Sequence, residues 1–577
     1  MRRITREWAV GVLAVVAAAS LSGCFKGDFA NCKVTCATSA DCPGDLQCNA
    51  QSICSPGGNA CSATPDADLT KPQPLTVVKT GDGTITSNPA GIDCGTTCMA
   101  EFPPLSSVTL TVAPAATSVF DGWTGDCTGS TSTCSLTMDG PKTANAKFAL
   151  HGDKRWVKQI SFSGQDFVGS ELEVDANGDV IAAGAITDQG MNGFYVVKYA
   201  KDTGEIIWDK KFLIDQYFFY VGGLDTDSAG NVYMCARMQG NGSPTTIGTS
   251  SVLGDLFGNV LAVRFAASTG SVDWAKSWGG DSQEECEGLA VSGTDLFVTG
   301  GTSSMPAMFD GVSLTGSTNY GYIVKASTAN GTATTGRVLA ATFDITDIAE
   351  NAGQIAIAGR FSGVNYNLDT CNMSSSGSGF DGMIMNFTNN LVCSWAKNYG
   401  SLMNGQDTRA AAIAPVPGGG WVTTGSFVGS VNIAGAGSSL TNQGMSDVFV
   451  AKFAANGSHV WSFGYGTAGN DAGAGIAVTP TGETVVSGFF SNTIAFGNFS
   501  LTTTNTDMFI TRMTPGATPI HDWAIKLGGT AFESVQALSV DGTGTVTALA
   551  YWTGMTDVAG TPLTAQDYDA WVGSFVR

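Results

Sequence analysis

The chain has 577 residues, of which 75 are glycine and 18 proline, about 16% together and below the roughly 25–30% at which composition signals disorder, so it is expected to fold. Only 13% of residues are charged and the formal net charge is −21, which argues against long solvated helices and against nucleic acid, whose phosphates an acidic surface repels. Three histidines, His151, His459 and His521, lie far apart, removing the commonest general base and metal ligand from most of the chain.

Residues 1–24 read MRRITREWAVGVLAVVAAASLSGC. Arg2, Arg3 and Arg6 precede a 12-residue apolar or small run from Ala9 to Ser20, the layout of a secretory signal and too short to span a bilayer. The tetrapeptide Leu21-Ser22-Gly23-Cys24 resembles the bacterial lipobox. That resemblance implies that residues 1–23 are removed, that Cys24 carries acyl chains, and that the protein is held on a membrane through Cys24 without a spanning helix. Phe25, not an aspartate, follows the cysteine, which points to the outer membrane. The expected location is therefore the cell envelope, reached by export.

Beyond Cys24, fourteen cysteines fall into three groups. Six (Cys32, Cys36, Cys42, Cys48, Cys54 and Cys61) lie in residues 24–61, four (Cys94, Cys98, Cys127 and Cys134) follow, and four (Cys235, Cys286, Cys371 and Cys393) are spread further on. Even groups in an exported chain predict disulfides. Paired C-x2-C spacings with histidines nearby are missing, so no metal site is expected. The first group forms a disulfide-rich segment in which bridges replace a core, with connectivity left open.

Residues 62–73, SATPDADLTKPQ, read as an extended linker. From 74 to 149 short runs of β-branched and polar residues alternate between Gly, Asn and Asp turns, predicting a small β module. Gly81-Asp82-Gly83-Thr84-Ile85, Ser87-Asn88-Pro89, Phe120-Asp121-Gly122-Trp123 and Thr143-Ala144-Asn145-Ala146-Lys147-Phe148 resemble the divergent B-repeat of internalin-type surface proteins. The resemblance implies a spacer or interaction unit without catalysis. Trp123 is expected in the core, and the short separations favour Cys94–Cys98 and Cys127–Cys134 as staples.

Residues 150–577 repeat. The clearest unit is GIAVTPTGETVVSGFF, a loop, DMFITRMTPG and HDWAIKLGG. Trp156, Trp208, Trp274, Trp395, Trp461 and Trp523 mark one strand per unit at a mean spacing of about 61 residues, and Val338 or Leu339 is placed where a seventh belongs. Four short strands, turns and one long loop fit that period. The series opens on a Trp strand without partners, KRWVKQI, and ends on DAWVGSFVR, which lacks one. The fold class is therefore all-β: a seven-bladed β-propeller, closed by the strand around Trp156 beside Trp571 and Phe575, preceded by a small β module and a disulfide-rich segment. The units resemble the bacterial β-propeller repeat family of secreted and surface proteins. The piece from Ala200 to Trp208 also resembles the Trp-docking motif of quinoprotein propellers.

Little in the chain points to chemistry. Asp381, Asp447, Asp507 and Asp569, expected before inner-type strands, are read as fixing loops. The runs Asp175–Asp179 and Asp225–Asn231 place carboxylates as a calcium loop would, yet lack the bidentate Glu and read as Asx/Gly turns. No G-x-S-x-G, HExxH or P-loop occurs, so no catalytic, cofactor or metal residue is assigned. Cys235 and Cys286 are expected to meet across a blade boundary, and Cys371–Cys393 to tie a loop to an outer strand. The variable loops 239–258, 303–319 and 365–380 are taken as recognition loops on a rigid scaffold. The function expected is a non-enzymatic binding or adhesion protein for an envelope or extracellular protein or polysaccharide. A periplasmic scaffold of outer-membrane assembly is the alternative, and a polysaccharide-active enzyme a further one.

Overall fold

The computed structural model describes residues 46–48, 54–56 and 71–576, except for 116–117, 163–165, 189, 215–217, 317–318, 340–342, 364–365, 376–378, 401–405, 434–438, 530–532 and 566–567. The secretory signal, the lipobox cysteine Cys24 and most of the disulfide-rich segment lie outside the described residues. Within that segment, Leu46–Cys48 and Cys54–Pro56 pair antiparallel with Cys48 opposite Cys54. The chain separates into two compact units, Met1–Leu150 and His151–Arg577.

The first unit contains a β module of two sheets. Gln73–Thr80 lies parallel to Lys142–Leu150 and is flanked by Met99–Phe102, while Ser118–Gly125 completes that sheet. Gly83–Asn88, Ser107–Pro114 and Thr133–Thr137 form the second. Alternation places Leu75, Val77, Ile85, Val108, Leu110 and Phe148 in one core with Trp123, whose Nε1 donates to Thr131 O at 3.0 Å. Disulfides Cys94–Cys98 and Cys127–Cys134 staple two of its loops.

The second unit holds seven four-stranded antiparallel sheets among the described residues. Their first, innermost strands are Asp166–Val174, Phe218–Thr226, Gly288–Ser292, Phe343–Asn351, Thr408–Pro415, Ala472–Val478 and Glu533–Val540, which open blades 1 to 7 in that order. Blade 7 is completed by Lys154–Ile160, the earliest strand of the unit, which pairs with the latest, Asp569–Phe575, placing Gln159 opposite Trp571. Closure by the two ends of the chain leaves no blade with an open edge beside a missing partner.

One contact repeats from blade to blade. The outer-strand tryptophan lies against a turn of the next blade and its Nε1 donates to a carbonyl there: Trp156 to Lys201, Trp208 to Ala267, Trp274 to Thr328, Trp395 to Ala455 and Trp461 to Gly516, at 2.7 to 3.1 Å. At the first four of these junctions the ring covers a turn glycine of positive φ. Gly204 (φ 65°) and Gly270 (φ 63°) are examples, where a Cβ would stand 2.7 Å from the Trp156 ring and 2.5 Å from the Trp208 ring. Only glycine serves there, on both counts. The Trp-docking likeness seen in one stretch of sequence thus extends to five blade junctions.

Two expectations shift. In blade 3 the residue in register with the tryptophans is Thr335, opposite Lys325 as Trp274 is opposite Arg264, and not Val338 or Leu339. The four-residue spacing from the turn glycine decides this, since Gly331 precedes Thr335 as Gly270 precedes Trp274. Lys325, like Lys198 opposite Trp208, reaches the next blade's turn, its Nζ donating to Asn389 O at 3.3 Å and Oδ1 at 2.6 Å. Asp381, Asp447, Asp507 and Asp569 lie in third strands and not inner ones. All four are buried; Asp447 Oδ2 fixes a loop by accepting from Gln443 N, whereas Asp381, Asp507 and Asp569 accept from the outer-strand side chains of Asn398, Lys526 and Gln159.

Replacing Trp208 with alanine should remove both ring packing and the Ala267 hydrogen bond, lowering unfolding free energy by about 3–5 kcal/mol. Chemical denaturation of the wild type and the variant measures this; a change within error would mean that blade coupling resides elsewhere.

Candidate functional site: the axial channel

Each inner strand is the edge of its sheet, so one row of its backbone groups faces the axis unpaired. The seven strands surround a cavity of about 510 Å³ lined by residues such as Glu171, Gly223, Glu287, Asp347, Ala412 and Gly475. Leu172, Leu224, Leu289, Ile348, Ile413, Ile476 and Leu538 occupy one repeated step and are all buried. Just before this step six of the strands carry a β-bulge, at Gly169/Glu171, Val221/Gly223, Ile345/Asp347, Ala410/Ala412, Gly473/Gly475 and Val535/Ala537. A bulge re-aims the side chains next to it.

Six carboxylates line the channel and no lysine, arginine or histidine does. Four of them join blades. Asp225 Oδ2 accepts from Val291 N at 2.7 Å and Asp347 Oδ2 from Ile413 N at 2.8 Å, each satisfying an amide at the next blade's free edge. Glu173 Oε1 accepts from Ser539 Oγ, and Glu350 Oε1 from Ser292 Oγ. The carboxyl groups of Glu171 and Glu287 make no hydrogen bond or ion pair among the described residues. Burial, then Asp347, Glu287 and Glu173, hold the Glu171 carboxyl well above its ordinary value. Burial, then Glu285 and Asp344, push Glu287 up to about 8 against the pull of Arg409 and Arg237. Asp347 is raised to about 7 by burial despite two backbone hydrogen bonds. The axis therefore holds protons at neutral pH that free carboxylates would have released.

One mouth is mixed in charge. It lies where the inner strands begin, and alternating strand direction puts the connections between second and third strands on the same face. Tyr220 is 38% exposed there, and the fields of Glu287, Glu171 and Arg409 all act on its hydroxyl. Arg237 Nη1 reaches Glu285 at 3.3 Å and Arg360 Nε reaches Asp344 at 2.7 Å.

The structure gives the three variable loops a different task from the recognition role expected. They fold into small hairpins, Pro244–Ile247 with Ser250–Leu253, Ala307–Phe309 with Val312–Leu314, and Tyr366–Leu368 with Cys371–Met373. Their apolar residues are core: Ile247, Val252, Phe309 and Met373 are all buried. What these hairpins expose is a few rims, among them Leu256, Phe257 and Met305. Disulfide Cys371–Cys393 ties the third hairpin to the outer strand of blade 4, and Cys235–Cys286 joins blade 2 to the entry of blade 3.

Of the two runs read as turns, Asp175 is one: its Oδ1 accepts from Asn177 N and Asp179 N, while Lys198 Nζ sits on its Oδ2 at 2.6 Å. Asp227 does the same for Ala229 and Asn231. Asp225 is not part of that turn; it projects into the channel two residues earlier. Glu171, Glu173, Glu287, Asp347 and Glu350 escaped sequence reasoning. Their signal was an acidic residue at a step where other repeats carry Gly, Ala or an apolar residue.

Residues 73–152 match the divergent InlB B-repeat domain family. Comparison with curated proteins returns no match. Among solved structures, BamB from Moraxella catarrhalis is similar at 10% identity over 73% of this chain and 100% of its own, with a TM-score of 0.32. The quinohemoprotein alcohol dehydrogenase of Comamonas testosteroni is similar at 10% identity over 73% and 76%, TM-score 0.37. Sqt1 of Chaetomium thermophilum, solved with the N-terminus of a ribosomal protein, is similar at 10% over 74% and 100%, TM-score 0.38.

Carboxyls raised in the folded state bind protons that the unfolded chain has released, so stability falls as pH rises between the two values. For Glu287 that window runs from its ordinary 4.5 to about 8. The melting temperature should fall between pH 5 and pH 8 on the order of the carboxylate window, and Glu287→Gln should flatten the slope. A profile that rises across this range would contradict the channel electrostatics.

Proposed function

We propose that the protein is an exported, lipid-anchored binding protein of the cell envelope, in which the propeller engages a partner protein and does no chemistry. Cys24 in its lipobox context supports the anchor, and the B-repeat module, a unit strung along surface proteins in the family it resembles, supports a stalk or interaction role. The observation that carries the binding reading is the channel mouth. Glu171 and Glu287 have carboxylates that no other side chain engages, next to the half-exposed Tyr220 ring. A lysine or arginine side chain entering there displaces the protons these carboxyls hold to solvent and gains charge-assisted hydrogen bonds and a cation–π contact together. The hairpin rims, with Leu256, Phe257 and Met305 exposed, add apolar area on the same face.

One observation favours a second reading, a polysaccharide-active enzyme: Glu287, raised to about 8, sits near Arg409 and Tyr220 in a cleft, and a protonated carboxyl at neutral pH is what a general acid requires.

Calorimetry at low salt and above pH 8, where the Glu287 carboxyl is ionised, should show the soluble chain binding a lysine-rich peptide, with the Glu171→Gln, Glu287→Gln double variant on the order of tenfold weaker. Equal affinity would overturn the binding site; polysaccharide cleavage that Glu287→Gln abolishes would establish the second reading in its place. Labelled palmitate should be incorporated into the wild type in cells and not into Cys24→Ser, and labelling of both would overturn the anchor.

A further inference from the structure

Blade junctions reuse one arrangement, in which the residue opening a third strand faces the glycine turn after the outer strand and an acid at the entry to the next blade. Between blades 2 and 3 these are Asn259, Gly279 and Glu284. A Cβ on Gly279 would stand 2.1 Å from Asn259 Nδ2 and 2.6 Å from Glu284 Oε2, so the amide faces the carboxylate. Glu284 is fully buried and satisfied: Oε1 accepts from Thr302 Oγ1 at 2.9 Å and Oε2 from Gly280 N at 3.0 Å.

Between blades 6 and 7 the same positions hold Asp507, Gly528 and Glu533. A Cβ on Gly528 would stand 2.2 Å from Glu533 Oε2 and 2.8 Å from Asp507 Oδ1, so an acid now faces the acid and the amide's donors are gone. Asp507 is 1% exposed and Glu533 4%. Both oxygens of Glu533 and Oδ1 of Asp507 have no hydrogen-bond partner, and neither has Thr556 Oγ1, on a residue 4% exposed. The Thr556 hydroxyl and the Gly529 N–H are both near enough to Glu533 to pull against the rise of its carboxyl. Lys526 Nζ, on a side chain 41% exposed, holds only the far oxygen, Asp507 Oδ2, at 2.8 Å. The tryptophan at this junction, Trp523, also differs from its counterparts in having an Nε1 without a hydrogen-bond partner.

Four buried oxygens without partners, two of them on one carboxylate, are a configuration that folded proteins do not leave uncompensated. A proton could bridge Asp507 Oδ1 and one Glu533 oxygen, with Thr556 and Gly529 beside the other, and a cation would take the place of that proton. An oxygen-only donor set satisfies a hard cation in full, and irregular geometry favours calcium over magnesium, which demands a near-ideal octahedron. We propose that Asp507, Glu533 and Thr556 form a calcium-class cation site that ties blade 6 to blade 7. Met555 O, which a Cβ on Gly529 would meet at 2.6 Å with Glu533 Oε1 at 3.4 Å, is placed to add a carbonyl ligand. The bound ion would stand in for the docking hydrogen bond that Trp523 lacks.

The test is calcium titration of the full soluble chain by calorimetry, with thermal unfolding in calcium against chelator. It is run at pH 8. One equivalent should bind and raise the melting temperature. Asp507→Asn, which recreates the Asn–Glu pair of blades 2 and 3, should fold as well as the calcium-free wild type and bind calcium on the order of a hundredfold more weakly. Thr556→Val should weaken binding while leaving calcium-free stability in place. No calcium response at pH 8 would overturn the proposal and leave the pair to a proton. A response that survives Asp507→Asn, or that Glu171→Gln with Glu287→Gln removes, would place the ion elsewhere and overturn it too.

Discussion

An indole ring lying flat on a neighbour's turn glycine, with its N–H on a carbonyl of the same turn, is the contact on which the propeller depends. It couples each blade to the next at a fixed height. It also explains two features of the sequence together: a tryptophan about every 61 residues and a glycine four residues before most of them. The glycine must have positive φ to make the turn and no Cβ to let the ring down. Neither half can vary without the other. Where the pattern lapses, other bonds stand nearby. Blade 3 has Thr335 at the tryptophan step; Lys325 reaches the next blade's carbonyl, and Cys235–Cys286 binds its entry to blade 2. Lysine and disulfide supply by charge and covalency what packing does elsewhere.

Closing seven sheets into a ring creates the channel and its chemistry. Each inner strand has a row of amides with no fifth strand to pair with, facing a cavity of about 510 Å³. Carboxylates answer this. Asp225 and Asp347 each cap an amide of the next blade, so a good part of the axial acid is structural, with burial raising its proton affinity. Glu171 and Glu287 do not share that duty. They are the acids of the lining whose carboxyls join no blade to another, protonated at neutral pH as burial leaves them, and both belong to the end of the channel where the hairpins gather.

Those hairpins show how variability in sequence can mislead. Segments that differ between repeats look free to recognise a partner, because only the strands keep a pattern. Here Ile247, Phe309 and Met373 are buried, and one hairpin is bridged covalently to its own blade. Each loop solves the covering of its blade's outer end with different residues. The diversity reflects alternative packings as much as alternative ligands, and the surface left for recognition shrinks to their rims and to the mouth they surround.

Period, phase and cysteine grouping were legible without any structure, because a repeat writes its spacing directly into the chain. The four-strand unit, the pairing of Trp156's strand with the last strand, and the partners Cys94–Cys98 and Cys127–Cys134 are all local or periodic facts. Thr335 was misplaced by a few residues because apolar character was weighted above distance from the turn glycine. The channel acids were not legible. A single glutamate in a β-rich run says nothing of its neighbours until closure brings Glu171, Glu287 and Asp347, from blades 1, 3 and 4, around one axis. The contrast between Asn259–Glu284 and Asp507–Glu533 is likewise a change of one side-chain atom in sequence. Only the folded junction, which buries the two groups beside each other, turns that atom into an oxygen without a partner.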